Sequence, residues 1–501
     1  MKLKNLYIKD FQSIKGEFEL DLEKLSFLYG PNSAGKSSVI DAFAILRTIV
    51  TEDTPKFFEG ATLGFSAEFV DSYENHLFTE EWGILQELFS TKGVRAAVKE
   101  LLNRKISYRV NGSGVRPRNI EIKVDDDYLL AFANSRQNLL NLLSNHSQDF
   151  SRVLTDEIRS KFVEDDDYSA IAINKSFKNT IFLLEDWLDD REYRDPSYVE
   201  EIGDYIIVDL ELTEFLTLTG DEYWSGDNAM ALLDPLVRFF NALKLIIREL
   251  FRFNHLSHVK GDRQVIAADS FYYDRDYLST KKAVPIEGIE FSRDTPYGRW
   301  AEKYFSDSNE SVFANICFER YLKSLRGYKL QLEEDTVNSD KVRRFKIENR
   351  QGDILDFVDV GSGLSYVFPI VGSLSFFGVT FVEQPELHLH PAAQCEIADV
   401  LIAARSLGHS AVVESHSEHL LLRVLRRIRE TTKGYLIREE LKLRCDDVVI
   451  LYFNPDSDGR TNVIEIRIDE HGEFLNNWPD GFFSEREKEL FQEYWEGAPN
   501  E

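Results

Sequence analysis

Eight consecutive residues, Gly30-Pro31-Asn32-Ser33-Ala34-Gly35-Lys36-Ser37, have the types and spacing to hold a phosphate. They follow the apolar run Leu25-Ser26-Phe27-Leu28-Tyr29 and precede Ser38-Val39-Ile40-Asp41-Ala42-Phe43. That order predicts strand, glycine loop, helix, the setting in which GxxxxGK[ST] is a phosphate-binding loop. Backbone N–H groups and the N-terminus of the following helix cradle phosphate oxygens. Gly30 and Gly35 permit the tight backbone, and Asn32, Ser33 and Ser38 complete the loop set. Lys36 reaches the β- and γ-phosphates, and Ser37 ligates Mg²⁺.

Hydrolysis of a nucleotide needs an acid at the end of another strand to hold Mg²⁺ and polarise water. Val379-Thr380-Phe381-Val382-Glu383-Gln384-Pro385-Glu386 supplies one, four apolar-strand residues followed by acid. Glu383 is the candidate on the metal side, with Ser37, and Glu386 a candidate catalytic carboxylate. Val412-Val413-Glu414-Ser415-His416 places a histidine just past a second apolar run, where the carboxyl ends of strands form a ligand crevice. His416 suits phosphate sensing, since an imidazole donates to an anionic oxygen. Gly361-Ser362-Gly363-Leu364-Ser365 is a small-residue turn before an apolar helix, by itself no more than a turn with a helix cap.

The elements that must position these groups divide the chain into four stretches. Residues 1–95 read as α/β, with Leu3–Ile8, Phe18–Leu22 and Thr62–Val70 as strands around the loop. Residues 96–260 read as a mostly helical, acidic insertion, on leucine-rich segments such as Leu139–Leu143 and Ala229–Leu250, with Gly203–Val208 as a lone strand. Residues 261–435 return to α/β. Tyr328–Leu332 and Arg343–Ile347 read as paired strands, and Gly378–Val382 and Ser410–Val413 as buried parallel strands. Residues 436–501 read as a β-hairpin, Val448–Phe453 and Asn462–Ile468, with a short acidic helix near Glu485–Glu496.

The chain has 501 residues, more than one core accommodates. Its formal net charge of −28 argues against a protein that coats nucleic acid over its whole surface. Residues 121–220 hold 23 Asp/Glu against 9 Lys/Arg, half of the whole excess. A solvated helical face is the plain reading; an acidic docking surface for a basic partner, or a DNA mimic, is the sharper one. No apolar run has transmembrane length. The opening residues form no signal-peptide core. Cys317, Cys395 and Cys445 show no metal or disulfide spacing, so the expected setting is reduced and cytoplasmic.

Taken in order, the phosphate loop, the small-residue turn, the acidic strand end and the switch histidine resemble the ABC-type ATPase heads of the RecF, SMC and OLD (overcoming lysogenization defect) group. Glu383-Gln384-Pro385-Glu386-Leu387-His388-Leu389-His390-Pro391, Glu414-Ser415-His416-Ser417-Glu418-His419-Leu420 and Trp478-Pro479-Asp480-Gly481-Phe482-Phe483 are similar to the AAA-family ATPases of prokaryotic anti-phage loci, of the Septu, PARIS and retron-associated kind. The implied fold is an α/β ABC-type P-loop head split by an insertion. The implied cofactors are ATP and Mg²⁺. Two protomers would meet head to tail as a homodimer or higher oligomer. Gly361, Ser362, Gly363 and Ser365 of one would then face the γ-phosphate held by the other.

The implied function is a slow ATPase that senses or switches within a defence system and controls a separate nuclease or toxin, with a phage-encoded trigger. Two departures stand out. Tyr366 follows the turn where Gln is frequent, and Gln384 stands where such heads usually carry the water-polarising Glu. A neutral amide is a poor general base, so slow hydrolysis is expected. Gln264 is a candidate glutamine-loop residue. OLD nucleases carry a Toprim domain after the head, and the 65 residues or so after 435 are too few for one. Three other readings compete. One is an ATP-locked scaffold that sequesters an effector. Another is a DNA-repair head contacting DNA through Arg423, Arg426, Arg427 and Arg429. The last is a metal hydrolase on His388, His390, His416 and His419, whose spacing matches no known ligand pattern.

Overall fold

The computed structural model describes residues 2–51, 60–68, 93–100, 104–113, 116–125, 127–146, 168–181, 183, 199–202, 204–211, 239, 242–243, 247, 255–259, 271–272, 329–337, 340–356, 367, 370–371, 373–374, 378–435 and 438–479. Two compact units arise, Met1–Leu20 with Ser38–Asn254, and Asp21–Ser37 with His255–Glu501.

In chain order the strands of the first unit are β1 (Lys2–Lys9) and β2 (Glu17–Asp21), with β3 (Leu25–Tyr29) and helix α1 (Lys36–Thr51) following. Next come β4 (Thr62–Glu68), α2 (Val94–Lys99), β5 (Lys105–Ser113), β6 (Arg116–Val124), β7 (Asp127–Ala133), α3 (Arg136–His146), β8 (Tyr168–Asn174), β9 (Val199–Ile202) and β10 (Tyr205–Glu211). Nine of these strands form one sheet in the order β2-β1-β4-β5-β6-β7-β8-β10-β9. From β1 onward its strands pair antiparallel, as hairpin-linked neighbours require. Ala131, Ala133, Leu139, Leu140, Leu143, Ala170, Ala172 and Ile207 pack together, so α3 lies on this sheet.

The expectation of a mostly helical insertion over 96–260 does not hold for its described residues, and Ala229–Leu250 lies almost entirely outside them. Its described residues are mainly strands, and Tyr205–Glu211 pairs on both sides rather than standing alone. The leucine run at 139–143 is helical as expected, but it is short. Runs such as Tyr168–Asn174 (YSAIAIN) and Tyr205–Glu211 (YIIVDLE) carry the β-branched and aromatic residues that fit a pleated, half-buried surface.

The second unit contains β3 and, after β11 (His255–Val259), β12 (Phe271–Tyr272), β13 (Lys329–Val337), β14 (Asp340–Glu348), β15 (Ile354–Asp356) and β16 (Gly378–Glu383). Helix α4 (Pro391–Ser406), β17 (Ser410–Glu414), α5 (Glu418–Thr432), β18 (Val448–Pro455) and β19 (Thr461–Glu465) complete it. Its main sheet has the order β11-β16-β17-β3-β18-β19. Every neighbouring pair is parallel except the terminal β18–β19 hairpin. All five residues of β3 and of β17 are buried, as parallel strands covered on both faces must be. The α/β P-loop fold expected from the sequence is present. So are the buried parallel strands at 378–383 and 410–414, the β13–β14 pair and the C-terminal hairpin. β11 joins this sheet, although the sequence reading had assigned residues up to 260 to the insertion. The expected helix at 485–496 lies outside the described residues.

Two helices cover the sheet. α4 begins with Pro391 at its first turn, and the His390 imidazole accepts from the Ala392 N–H at 3.3 Å. α5 is capped by Ser417, whose hydroxyl accepts from the Leu420 N–H at 3.2 Å. Its apolar stripe of Leu420, Leu421, Val424, Leu425 and Ile428 packs with β3, β17 and β18 side chains in one core.

Candidate functional site

The phosphate loop leaves the carboxyl end of β3 and enters α1 at Lys36. Gly30 has φ +145°, and a Cβ there would stand 2.6 Å from the Phe453 carbonyl oxygen on neighbouring β18. Ser33 and Gly35 also have positive φ, 63° and 87°, so the loop turns its backbone into a hollow. The Ala34 carbonyl accepts from the buried Thr461 hydroxyl at 2.7 Å, which ties the loop to β19. Asn32, Ser33 and Ser37 are exposed, whereas Ala34 and Ser38 are buried. Lys36 is only 3% exposed. Its ammonium donates to the Gly30 and Pro31 carbonyls at 3.2 and 2.9 Å. Burial pulls its pKa down, with the charges of Glu414 and Glu386 opposing the shift.

The carboxylate set against the loop is Glu414, the last residue of β17. Its Oε2 accepts from the Ser37 hydroxyl at 3.0 Å, and its Oε1 lies 3.7 Å from the Lys36 ammonium. The sequence reading had given Ser37 a partner in Glu383. In the parallel register Glu383 is instead paired with Glu414, so the two acids end adjacent strands, with β17 between β16 and β3. Glu414 escaped notice although its signal was present: Val412-Val413-Glu414 repeats the apolar-then-acid pattern of Phe381-Val382-Glu383.

Glu386 braces the two strand ends. Its Oε2 accepts from the Ser415 hydroxyl at 2.9 Å and its Oε1 from the His416 backbone N–H at 2.7 Å. Gln384, at φ 43°, donates its N–H to the Glu414 carbonyl at 2.7 Å, and Ser415 N–H donates to the Leu28 carbonyl at 3.1 Å. β16, β17 and β3 are thereby fixed relative to one another at their carboxyl ends. The His416 pKa is lowered, first by burial and then by the Lys36 charge, which favours the neutral ring. Its Nε2 is buried and has no hydrogen-bond partner. Tyr29 stands behind this cluster, its hydroxyl donating to the Ser417 carbonyl at 3.2 Å.

Lys36, Ser37, Glu386 and His416 therefore converge at one sheet end, with Glu383 one strand over. Gly361, Ser362, Gly363, Ser365 and Gln264 lie outside the described residues. The four arginines of α5 are engaged within their own unit. Arg423 and Arg427 bond Asp399 at 2.6 to 2.8 Å, Arg426 and Arg427 bond Glu430, and Arg429 reaches Glu473 and the His471 carbonyl. Among the described residues, no group of three or more His, Cys, Asp or Glu side chains is arranged to hold a metal by itself, and no helix is long and apolar enough to cross a membrane.

Residues 1–207 match the AAA ATPase domain, and residues 227–423 match an AAA domain model linked to the AbiEii toxin of type IV toxin–antitoxin systems. The phosphate loop lies within the first matched segment, and Glu383, Glu386, Glu414 and His416 lie within the second. Residues 443–492, which include the hairpin strands β18 and β19, match a protein family of unknown function, DUF3696. No curated protein matches the chain. Among solved structures it is similar to the SMC head domain from Thermotoga maritima, at 9% identity over 93% of this chain and 100% of that one, with a TM-score of 0.37. It is also similar to an Smc head with an extended coiled coil bound to the C-terminal domain of ScpA, from Pyrococcus furiosus, at 10% identity, 99% of each chain and a TM-score of 0.36. A third is an Smc head with a coiled coil and joint from Pyrococcus yayanosii, at 11% identity, 93% and 97% coverage and a TM-score of 0.36.

Proposed function

We propose that this site binds ATP with Mg²⁺ and hydrolyses it slowly, and that the ATPase serves as the switch of a prokaryotic anti-phage defence system. The carrying observation is the buried, partnerless His416 Nε2 beside Lys36, at the mouth of a loop whose backbone turns inward. A neutral imidazole N–H and an ammonium facing one hollow suit an anion with several oxygens, as a terminal phosphate is. Gly30, Asn32, Ser33, Gly35 and Ser38 would line the α- and β-phosphates, Lys36 the β- and γ-phosphates, and Ser37 and Glu383 the cation side. When bound, Mg²⁺ supplies neutralisation of phosphate charge.

The chain's own residues then do three things. Lys36 offsets phosphate charge. His416 donates toward the terminal oxygens. Glu386 holds the Ser415–His416 turn in place through two hydrogen bonds. Both Glu386 oxygens are already engaged in those bonds, and Gln384 has no charge to offer. Both features favour slow turnover. Composite ATP sites between two heads, with Gly361, Ser362, Gly363 and Ser365 acting in trans, would let ATP favour the closed dimer. A separate nuclease or toxin effector and a phage-encoded trigger complete the reading, supported by the AbiEii link of the second AAA segment. Direct DNA contact by α5 is disfavoured, because its arginines are already paired.

The test is steady-state ATP turnover together with molecular mass in solution, with and without ATP. Slow turnover and ATP-induced dimers, both lost in Lys36→Ala, are expected. Equal turnover in wild type and Lys36→Ala would remove the assignment. Tight ATP retention without turnover would select the second reading, a nucleotide-locked scaffold, which the engaged Glu386 oxygens and Gln384 also favour.

A further inference from the structure

We propose that Gln394, on α4, is a positioning residue for recognition of the terminal phosphate: it fixes the turn that carries His416 and does not touch the nucleotide itself. The inference rests on the ATP reading above and on the part that reading gives His416. Its support is a network of hydrogen bonds in which each proton has one place to go. Gln394 Nε2 donates to the Leu389 carbonyl at 3.0 Å, and Oε1 accepts from the Ser417 hydroxyl at 2.6 Å. A carbonyl only accepts, so the amide nitrogen must face Leu389 and the amide oxygen must face Ser417. The Ser417 hydroxyl therefore donates to Gln394, and its lone pair takes the Leu420 N–H that caps α5. The same logic orients Ser415. Its oxygen accepts from the Ser417 N–H at 3.0 Å, and its proton goes to Glu386 Oε2 at 2.9 Å.

His416 lies at the centre of this network. Its own N–H goes to Glu386 Oε1, the Ser415 N–H goes to the Leu28 carbonyl, and the Ser417 carbonyl takes the Tyr29 hydroxyl. The backbone on both sides of the ring is thus bonded, and the buried Nε2 is left to meet a ligand. Side-chain rotamers are chosen relative to the backbone, so holding the turn aims the ring. Glu386 ties the turn to the loop after β16, and Leu28 and Tyr29 tie it to β3. Gln394 adds the tie to α4, and through Leu389 it holds the end of the same loop that carries Glu386. Ser417 is buried. Without the Gln394 amide its hydroxyl loses its acceptor, and a buried hydroxyl without a partner is driven to rotate toward another. The turn then loses its single arrangement, and the imidazole its fixed aim.

The readout is calorimetric affinity for ADP and for the β,γ-imido analogue of ATP, which needs no turnover. The ratio of the two dissociation constants isolates the terminal phosphate. His416→Ala should lower that ratio about tenfold, the scale of one hydrogen bond to a charged group. Gln394→Ala should lower it at least about threefold, with ADP affinity unchanged. In the His416→Ala background the same substitution should have no further effect, because Gln394 acts through that ring. Gln394→Met keeps the length of the side chain and removes both hydrogen bonds. It should reproduce the result, and provides the test should the Ala variant fail to fold. A ratio unchanged by Gln394→Met, or lowered equally with and without His416, overturns the proposal and leaves Gln394 a packing residue. A ratio that His416→Ala itself leaves unchanged removes phosphate sensing by His416, and the role of Gln394 with it. Nucleotide binding that is equal in wild type and Lys36→Ala removes the ATP reading, a result distinct from any Gln394 outcome.

Discussion

Gly30 is the position where one methyl group says most about how the site is built. Tyr29 of β3 pairs with Tyr452 of β18, so Gly30 lies against Phe453 just past the end of that register. An added Cβ would meet the Phe453 carbonyl oxygen at 2.6 Å and the Phe453 Cβ at 3.1 Å. Relief requires the two strands to separate, in the middle of a parallel sheet. Forcing an extra carbon into packed structure costs about 1–3 kcal/mol. Holding a non-glycine residue at φ +145° costs about 1–3 kcal/mol more. Gly30→Ala should therefore destabilise the unit carrying β3 by about 2–6 kcal/mol. Gly459→Ala is the matched control: φ is +75° there, but the added carbon meets nothing within 4 Å. It should cost only the left-handed backbone penalty, about 1–2 kcal/mol. Urea midpoints read by near-ultraviolet circular dichroism compare the two. If Gly30→Ala melts no earlier than Gly459→Ala, the close approach of β3 and β18 is not what demands glycine, and the reasoning fails.

Asp399 lies under α5 with Arg423 and Arg427 on its two oxygens. Asp399→Ala should cost about 3–5 kcal/mol by taking the carboxylate from Arg423 while Arg427 keeps Glu430, and replacing Asp399 and Arg423 together by leucine should recover much of it in the same urea experiment. For Glu430, burial pushes the carboxyl pKa up but the Arg426 and Arg427 bonds outweigh it, so the folded value lies below the ordinary one. Its stabilisation is present above the ordinary carboxylate pKa and is lost as pH falls through the lowered one, so Glu430→Gln should flatten the acid limb of a plot of Tm against pH. Thr461→Val removes the bond to the Ala34 carbonyl and should cost about 1–2 kcal/mol; a larger loss of ATP affinity than of stability would show that β19 fixes the loop's shape.

The sequence by itself determined the contiguous parts. Gly30 to Ser37 lie within eight residues, so loop conformation, the strand before it and the helix after it follow from local geometry and burial pattern. The same holds for β16 and β17, whose short apolar runs mark buried parallel strands, and for the β18–β19 hairpin around its turn. What needed the tertiary structure was the order of strands. That order placed β17 beside β3, and so brought Glu414 to Ser37 across 377 positions of chain. Two apolar runs each ended in an acid, and no spacing rule along the chain says which lies next to the loop. Pairing of Arg423 and Arg427 with Asp399 depended likewise on the packing of α5 against α4, whereas Glu430 is a local partner of Arg426 and Arg427 on α5 itself. The strands among the described residues of 96–260 were not legible because leucine spacing within a short helix resembles that of a long one, and the ladder of cross-strand hydrogen bonds is what distinguishes a sheet.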